Sequence, residues 1–236
     1  ASSATVSNEI TLGNSSITSL RIPGLQSGAS DGDVLTYNSS NGNITLAAAS
    51  GGGGGASEIN GLSDAKTDNS GAALGLGSGT LAADGGSNNT VAIGKDALND
   101  QTSGNFNCAV GNEALSKITT NFQSAAFGIY AGRYVTGSTN TFLGYSAGQG
   151  TDGSASGSNN VAVGEKSMQQ LTSGNDHTAV GYRSLRRVTS GMDNVAVGYE
   201  ALDSCTTGSN NCVLGHSALG SLTTGSYNIA IGIELL

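Results

Sequence analysis

The sequence has a single proline and no tryptophan, and only 5% of its residues are aromatic. A collagen-type triple helix is excluded, because proline is almost absent and the glycines follow no three-residue period. Charged residues make up 11%, against about 25% in ordinary soluble domains. Nine Lys and Arg face 17 Asp and Glu, for a net charge of −8. A nucleic-acid surface needs clustered cations, so that class of partner is not expected. No apolar run approaches the ~18 residues of a membrane-spanning helix, and no segment reads as a secretory or basic targeting peptide. The chain starts at Ala1 and stops on Glu234-Leu235-Leu236 without a polar cap, which points to a fragment or processed product, to a further partner, or to a removed C-terminal chaperone domain.

Catalytic signatures are also scarce. The three cysteines form no C-x-x-C pair and no Cys/His metal spacing. The two histidines, His177 and His216, have no Ser, Cys or carboxylate that the sequence sets beside them, as a triad requires. The acidic residues lack calcium-loop spacing, and the Gly-rich stretches lack the Lys or strand–helix context of nucleotide sites. The expectation is a non-enzymatic chain without cofactor or metal.

What is abundant is glycine, 38 residues of 236, about 16% where ~7% is usual. Such a composition folds only if it repeats, and it does. Glycines preceded by an apolar tripeptide stand at 77, 94, 111, 128, 144, 164, 181, 198, 215 and 232. Their successive differences are 17, 17, 17, 16, 20, 17, 17, 17 and 17. The unit reads roughly G-S-N-N-V-A-V-G-x-x-A-L-x-x-L-T-T-G.

Each column has a physical reading. Val91-Ala92-Ile93, Val161-Ala162-Val163, Val195-Ala196-Val197 and Ile229-Ala230-Ile231 alternate with period 2, as in a short strand with its β-branched residues on one face and Ala on the other. Four positions after the anchor stand Leu81, Leu98, Leu115, Met168, Leu185, Leu202, Leu219 and Leu236; seven after it stand Ile118, Val135, Leu171, Val188 and Leu222. Each unit thus offers about four apolar side chains, which bury themselves only when units stack. The A-L-x-x-L spacing suits one turn, too short for a helix, so a bend between two strands is expected. Gly104, Gly137, Gly157, Gly174, Gly191, Gly208 and Gly225 mark corners. Asn107, Asn140, Asn160, Asn194, Asn211 and Asn228 form a column able to hydrogen-bond up and down a stack. The pattern predicts an all-β, parallel β-solenoid of about ten coils with two or three short strands per coil, stacked at ~4.8 Å.

The core Asn88-Asn89-Thr90-Val91-Ala92-Ile93-Gly94 resembles the head repeats of trimeric autotransporter adhesins. The longer unit, with A-L-x-x-L-T-T-G added, is similar to repeats of bacteriophage tail-fibre and other virion structural proteins. Asn8–Ser16, Leu20–Gly24 and Asp31–Asn38 resemble segments common in phage fibres. The resemblance spans about residues 71–236. It implies a left-handed β-roll, a homotrimer, a place on the virion, attachment to other virion proteins through the N-terminal segment, and contact with host-surface glycan. The alternative it offers is a bacterial trimeric adhesin head. The domain reading is a β-rich attachment segment over 1–50, a Gly-rich linker over 51–70, and the solenoid over 71–236; the run Ser50–Gly55 at their junction is flexible by composition.

Several further columns bear on partners and sites. The Ala column (Ala92, Ala109, Ala126, Ala162, Ala179, Ala196, Ala230) suits close packing against another copy. Tyr145, Tyr182, Tyr199 and His216 follow the anchor, and coil spacing stacks the last three into an outward column. With Arg183 close by, Tyr182, Tyr199 and His216 are candidate glycan contacts, or else a ladder that only stabilises stacking. Arg183, Arg186 and Arg187 form a positive patch that meets anionic glycan or balances charge. Cys108, Cys205 and Cys212 stand where small buried hydrophobes stand in other coils. The Thr column (Thr102, Thr119, Thr136, Thr172, Thr189, Thr206, Thr223) raises ice binding, but its place beside a turn glycine makes it a corner.

Overall fold

The computed structural model describes residues 33–38, 43–48, 65–67, 73–83, 85, 89–152 and 155–234. The segments 8–16 and 20–24 and the glycine run 51–55 lie outside the described residues. The chain divides into two compact units, Ala1–Ser57 and Glu58–Leu236.

In the first unit, β1 (Asp33–Asn38) pairs antiparallel with β2 (Asn43–Ala48), in a register that sets Tyr37 opposite Ile44. In the second unit, β3 (Ala65–Thr67) runs antiparallel to β4 (Ala73–Leu76). From β4 onward every neighbour is parallel: β5 (Thr90–Ile93), β6 (Cys108–Val110), β7 (Ala125–Phe127), β8 (Thr141–Leu143), β9 (Val161–Val163), β10 (Thr178–Val180), β11 (Val195–Val197), β12 (Cys212–Leu214) and β13 (Ile229–Ile231). Their order in the sheet is their order in the chain. Parallel neighbours need a crossover, and here the crossover is one turn of a β-solenoid, so the architecture read from the repeat is the one found. The register is coil on coil, as in Ala179↔Ala196 and Val180↔Val197.

Each coil has one strand of three or four residues, not two or three strands. The rest is turns. The reason lies in the backbone after the anchor glycine. Asp96 (φ 55) and Leu98 (φ 49), like Arg183 (φ 54) and Leu185 (φ 47), are left-handed. Ala97 N–H donates to the Gly94 carbonyl (3.3 Å) and Gln101 N–H to that of Leu98 (3.3 Å), closing two tight turns in succession. The expected bend over A-L-x-x-L is therefore present. Its residues still bond between coils: Leu98 N–H to Ala114 O (3.1 Å) and Asp100 N–H to Ser116 O (3.0 Å). Left-handed non-glycine residues cost about 1–2 kcal/mol each, which these inter-coil bonds and side-chain burial must offset.

The anchor glycines have no such alternative. Gly94 sits at φ 124, and a Cβ there would lie 2.7 Å from both the carbonyl carbon and the oxygen of Gly111 in the next coil. Backbone meets backbone at this column, and only hydrogen fits.

The core is narrow and built from small residues. The strand alanines Ala92, Ala109, Ala126, Ala162, Ala179 and Ala196 are fully buried, with Leu98, Leu115, Met168, Leu185 and Leu202 from the turns. Ile118, Val135, Leu171 and Val188 close the far side. A second interior column of Ala97, Ala114, Ala131, Ala147, Ala201 and Ala218 lies just before the leucines. The Ala column of the strands is thus core, and the expectation that it packs against another copy is overturned. The leucines from the turns already fill most of the lumen, so the strand turns a small side chain inward, alanine in most coils and Val213 in β12.

One stretch departs from the pattern. The differences of 16 and 20 flank β8, where Phe142 replaces the strand alanine and is fully buried. In the two adjoining coils Gly132 (φ 61) and Gly148 (φ 54) replace the leucine. A Cβ on Gly132 would meet the Phe142 ring at 2.6 Å, and one on Gly148 would also strike that ring. A single phenylalanine occupies the room of two leucines.

The asparagine column forms a buried ladder. Asn194 Nδ2 donates to Gly208 O (2.7 Å), while its Oδ1 accepts from Asn211 N–H (3.0 Å) and Asn211 Nδ2 (2.9 Å). Asn160 repeats the first contact, Nδ2 to Gly174 O (3.0 Å), and its Oδ1 accepts from His177 N–H (3.1 Å). Each amide satisfies itself and the turn beside it, which makes a polar residue tolerable in the core.

Candidate functional site

With alanine turned inward in most strands, the residues on either side of it turn outward; in β12 the inward residue is Val213. The outer face of the sheet carries Val91, Ile93, Val110, Phe127, Leu143, Val163, Val180, Val195, Val197, Leu214, Ile229 and Ile231 along its two side-chain columns. Phe127 is 43% exposed, and Leu143 and Leu214 each 49%. No charged side chain interrupts these two columns from β5 to β13. One position past the anchor Ile129, Tyr145 and Tyr199 are also exposed, in a column that carries Lys95, Asn112 and Glu165 as well. Nine coils at ~4.8 Å make this face ~40 Å tall.

Beside this face stand the residues singled out as glycan contacts. Tyr182 stacks on Tyr199 (centroids 5.1 Å, 23° between planes), and Tyr199 stacks on His216 (4.8 Å, 6°). The spacing is that of the coils, so the stack follows from the repeat. Arg183 lies over the Tyr182 ring, with its guanidinium carbon 4.8 Å from the centroid, and its Nη1 is 3.2 Å from Glu200 Oε1. Both faces of Tyr199 are covered by neighbouring rings. A sugar that stacks on a ring needs an open face, and the rims of this ladder are what it offers. Tyr145 stands apart from the stack, meeting Tyr130 edge-on at 6.0 Å.

The arginine patch is largely neutralised by its own fold. Arg186 pairs with Asp203 (Nη2 to Oδ2, 2.8 Å), one coil away, as Arg183 does with Glu200. Arg133 lies between the rings of Tyr130 and Tyr134 (5.0 and 4.8 Å to the centroids) and pairs with Glu113. In Arg183–Glu200 and Arg186–Asp203 the charges share a column of successive coils and meet by register, and such surface pairs are small contributors.

Cys205 is buried as expected, and burial pushes its thiol upward in pKa. Cys108 and Cys212 are not buried as expected: Cys108 is half-buried and Cys212 exposed. They occupy the first strand position, which faces outward for the same reason that Val195 does. The threonine column is a corner ladder. Thr172 Oγ1 donates to Thr189 O (2.7 Å) and Thr189 Oγ1 to Thr206 O (3.0 Å), so the hydroxyl protons are engaged within the stack.

His177 occupies the asparagine column and is buried, and His216 ends the aromatic stack. Among the described residues no group of three His, Cys, Asp or Glu side chains is placed to hold a metal, and no helix is long and apolar enough to cross a membrane.

The outward apolar face is the feature that sequence reasoning missed. Strand alternation places Val and Ala on opposite sides but does not say which side is inside. Comparison with known protein families, with characterised proteins and with solved structures finds no match to this chain.

Proposed function

We propose that the chain is a structural, non-enzymatic protein whose copies associate through the outer face of the sheet into a homotrimeric rod, as part of a phage fibre, spike or related virion appendage. The observation that carries self-association is the uncharged apolar face running from β5 to β13. A partner with a regular charge pattern finds nothing to pair with there. A second copy, aligned along the same axis, presents the same flat columns at the same spacing, which is the self-complementarity that symmetric assembly uses. The three-fold count and the virion setting rest on the resemblance of the repeats to phage fibres and adhesin heads. The added A-L-x-x-L-T-T-G segment favours the fibre over the bacterial adhesin head. In this reading the N-terminal segment attaches the rod to other virion proteins. Host glycan, if contacted, meets the rims of Tyr182, Tyr199 and His216 with Arg183, on the surface beside the association face.

The test is the mass in solution. Sedimentation equilibrium should give a trimer of the 23.2 kDa chain. Val195→Glu, on the outer face, should shift the mass to monomer, whereas Ser190→Glu, in an exposed turn, should leave it unchanged. A monomeric wild type would overturn the assembly. Antibody labelling that places the chain on cells and not on phage particles would overturn the virion setting alone.

A further inference from the structure

His177 breaks the asparagine ladder with a group that titrates. Its position is that of Asn160 below and Asn194 above, and it is 1% exposed. Its Nδ1 accepts the Asn194 backbone N–H at 3.2 Å, the role that Asn160 Oδ1 plays toward His177 N–H at 3.1 Å. An acceptor Nδ1 requires the proton of the neutral ring to sit on Nε2. By ladder register Nε2 stands in for the asparagine Nδ2. Asn160 uses that atom to bond Gly174 O, and Asn194 uses it to bond Gly208 O. For His177 the matching acceptor is Gly191 O. Its dipole favours the proton there, but the approach falls short of hydrogen-bond geometry, so Nε2 is buried without a partner. The imidazole therefore fills one of the two asparagine roles.

We propose that the coil carrying His177 is an acid-labile seam in the rod: protonation at Nδ1 replaces the acceptor of the Asn194 N–H with a second donor and opens the ladder there. The charged groups facing the ring are the carboxylates of Asp176, beside it, and Asp193, one coil on, both solvent-exposed. The previous coil presents the uncharged Asn159 at the matching position. The two carboxylates favour the proton, but burial opposes it more strongly and holds His177 at about 4, below its ordinary 6.5. A folded value below the unfolded one means that the unfolded chain binds the extra proton. The contribution is complete above about pH 6.5, is lost as pH falls toward 4, and is constant below that. The inference needs only the solenoid and stands whether or not copies associate.

The test compares the intact chain with His177→Asn, which restores the ladder residue. Denaturant unfolding followed by circular dichroism from pH 7 to pH 4 should show the wild-type unfolding constant rising by up to about tenfold per pH unit beyond the rise in the variant. Parallel profiles for the two proteins would overturn the seam. Imidazole nitrogen shifts of the folded wild type provide another reading that does not depend on the variant. They should show His177 neutral and protonated on Nε2 at pH 5.5, and a charged ring in the folded protein at that pH would overturn it.

Discussion

The regular coils from Gly164 to Gly232 and the irregular pair around β8 solve one packing problem in two ways. In the regular coils each strand contributes Ala, or Val213 in β12, and each turn contributes Leu or Met, so the lumen is filled layer by layer. Around β8 the strand contributes Phe142, and the turns on either side contribute Gly132 and Gly148. The volume is conserved across neighbouring coils, not within one. A solenoid can thus trade side chains between columns, provided that the trade closes locally. The ladder behaves in a similar way. Ser124 takes the asparagine place just before β7, and its Oγ accepts from Asn140 N–H (3.2 Å), keeping the connection with a shorter side chain.

The largest expected effect breaks the irregular solution. Phe142→Ala leaves a cavity flanked by two glycines and should cost about 3–5 kcal/mol in chemical denaturation. Gly148→Leu alone should also destabilise, because the new side chain meets the ring. The two together convert β8 toward the regular pattern, since Gly148 already has the φ of the leucine column. The pair should recover at least half of the loss; if the losses simply add, the volume trade is wrong. Next in size is the ladder within the regular coils. Asn194→Ala strips Gly208 O and the Asn211 amide of their buried partners and should cost about 2–4 kcal/mol. Amide exchange should show the opening centred on residues 191–211. The smallest effect is at the surface. Tyr199→Ala removes the middle ring of the stack and should cost ~1 kcal/mol, read as a small drop in denaturation midpoint. A larger cost would mean that the aromatic column matters to the fold as the ladder does.

Much of this is legible in the sequence alone. The glycine spacing gives the coil length, and the coil length gives the register that stacks Tyr182, Tyr199 and His216 and aligns the asparagines. Phe142 with its two glycines is less accessible: the anchor register survives there only as differences of 16 and 20, and a glycine in a leucine column reads as a lapse until the ring that fills its place is seen. The outward cysteines are misplaced by sequence because Cys108 and Cys212 share a column with valines, and a column of valines looks like core. His177 is recognisable as a member of the asparagine column. That its Nδ1 does the work of an amide oxygen while Nε2 goes unpartnered depends on atoms a coil away.

The sequence by itself determined the period, the parallel stacking and which residues share a column, because these follow from spacing and two-fold strand alternation. Only the tertiary structure decided which side of the strand is inside. Alternation is symmetric between the two faces, and the choice is made by the width of the lumen. Turn residues that reach in from the opposite side, Leu98 and Leu115 among them, leave the strand room for a small side chain in the regular coils. The larger β-branched and aromatic side chains are thereby displaced onto the outer face.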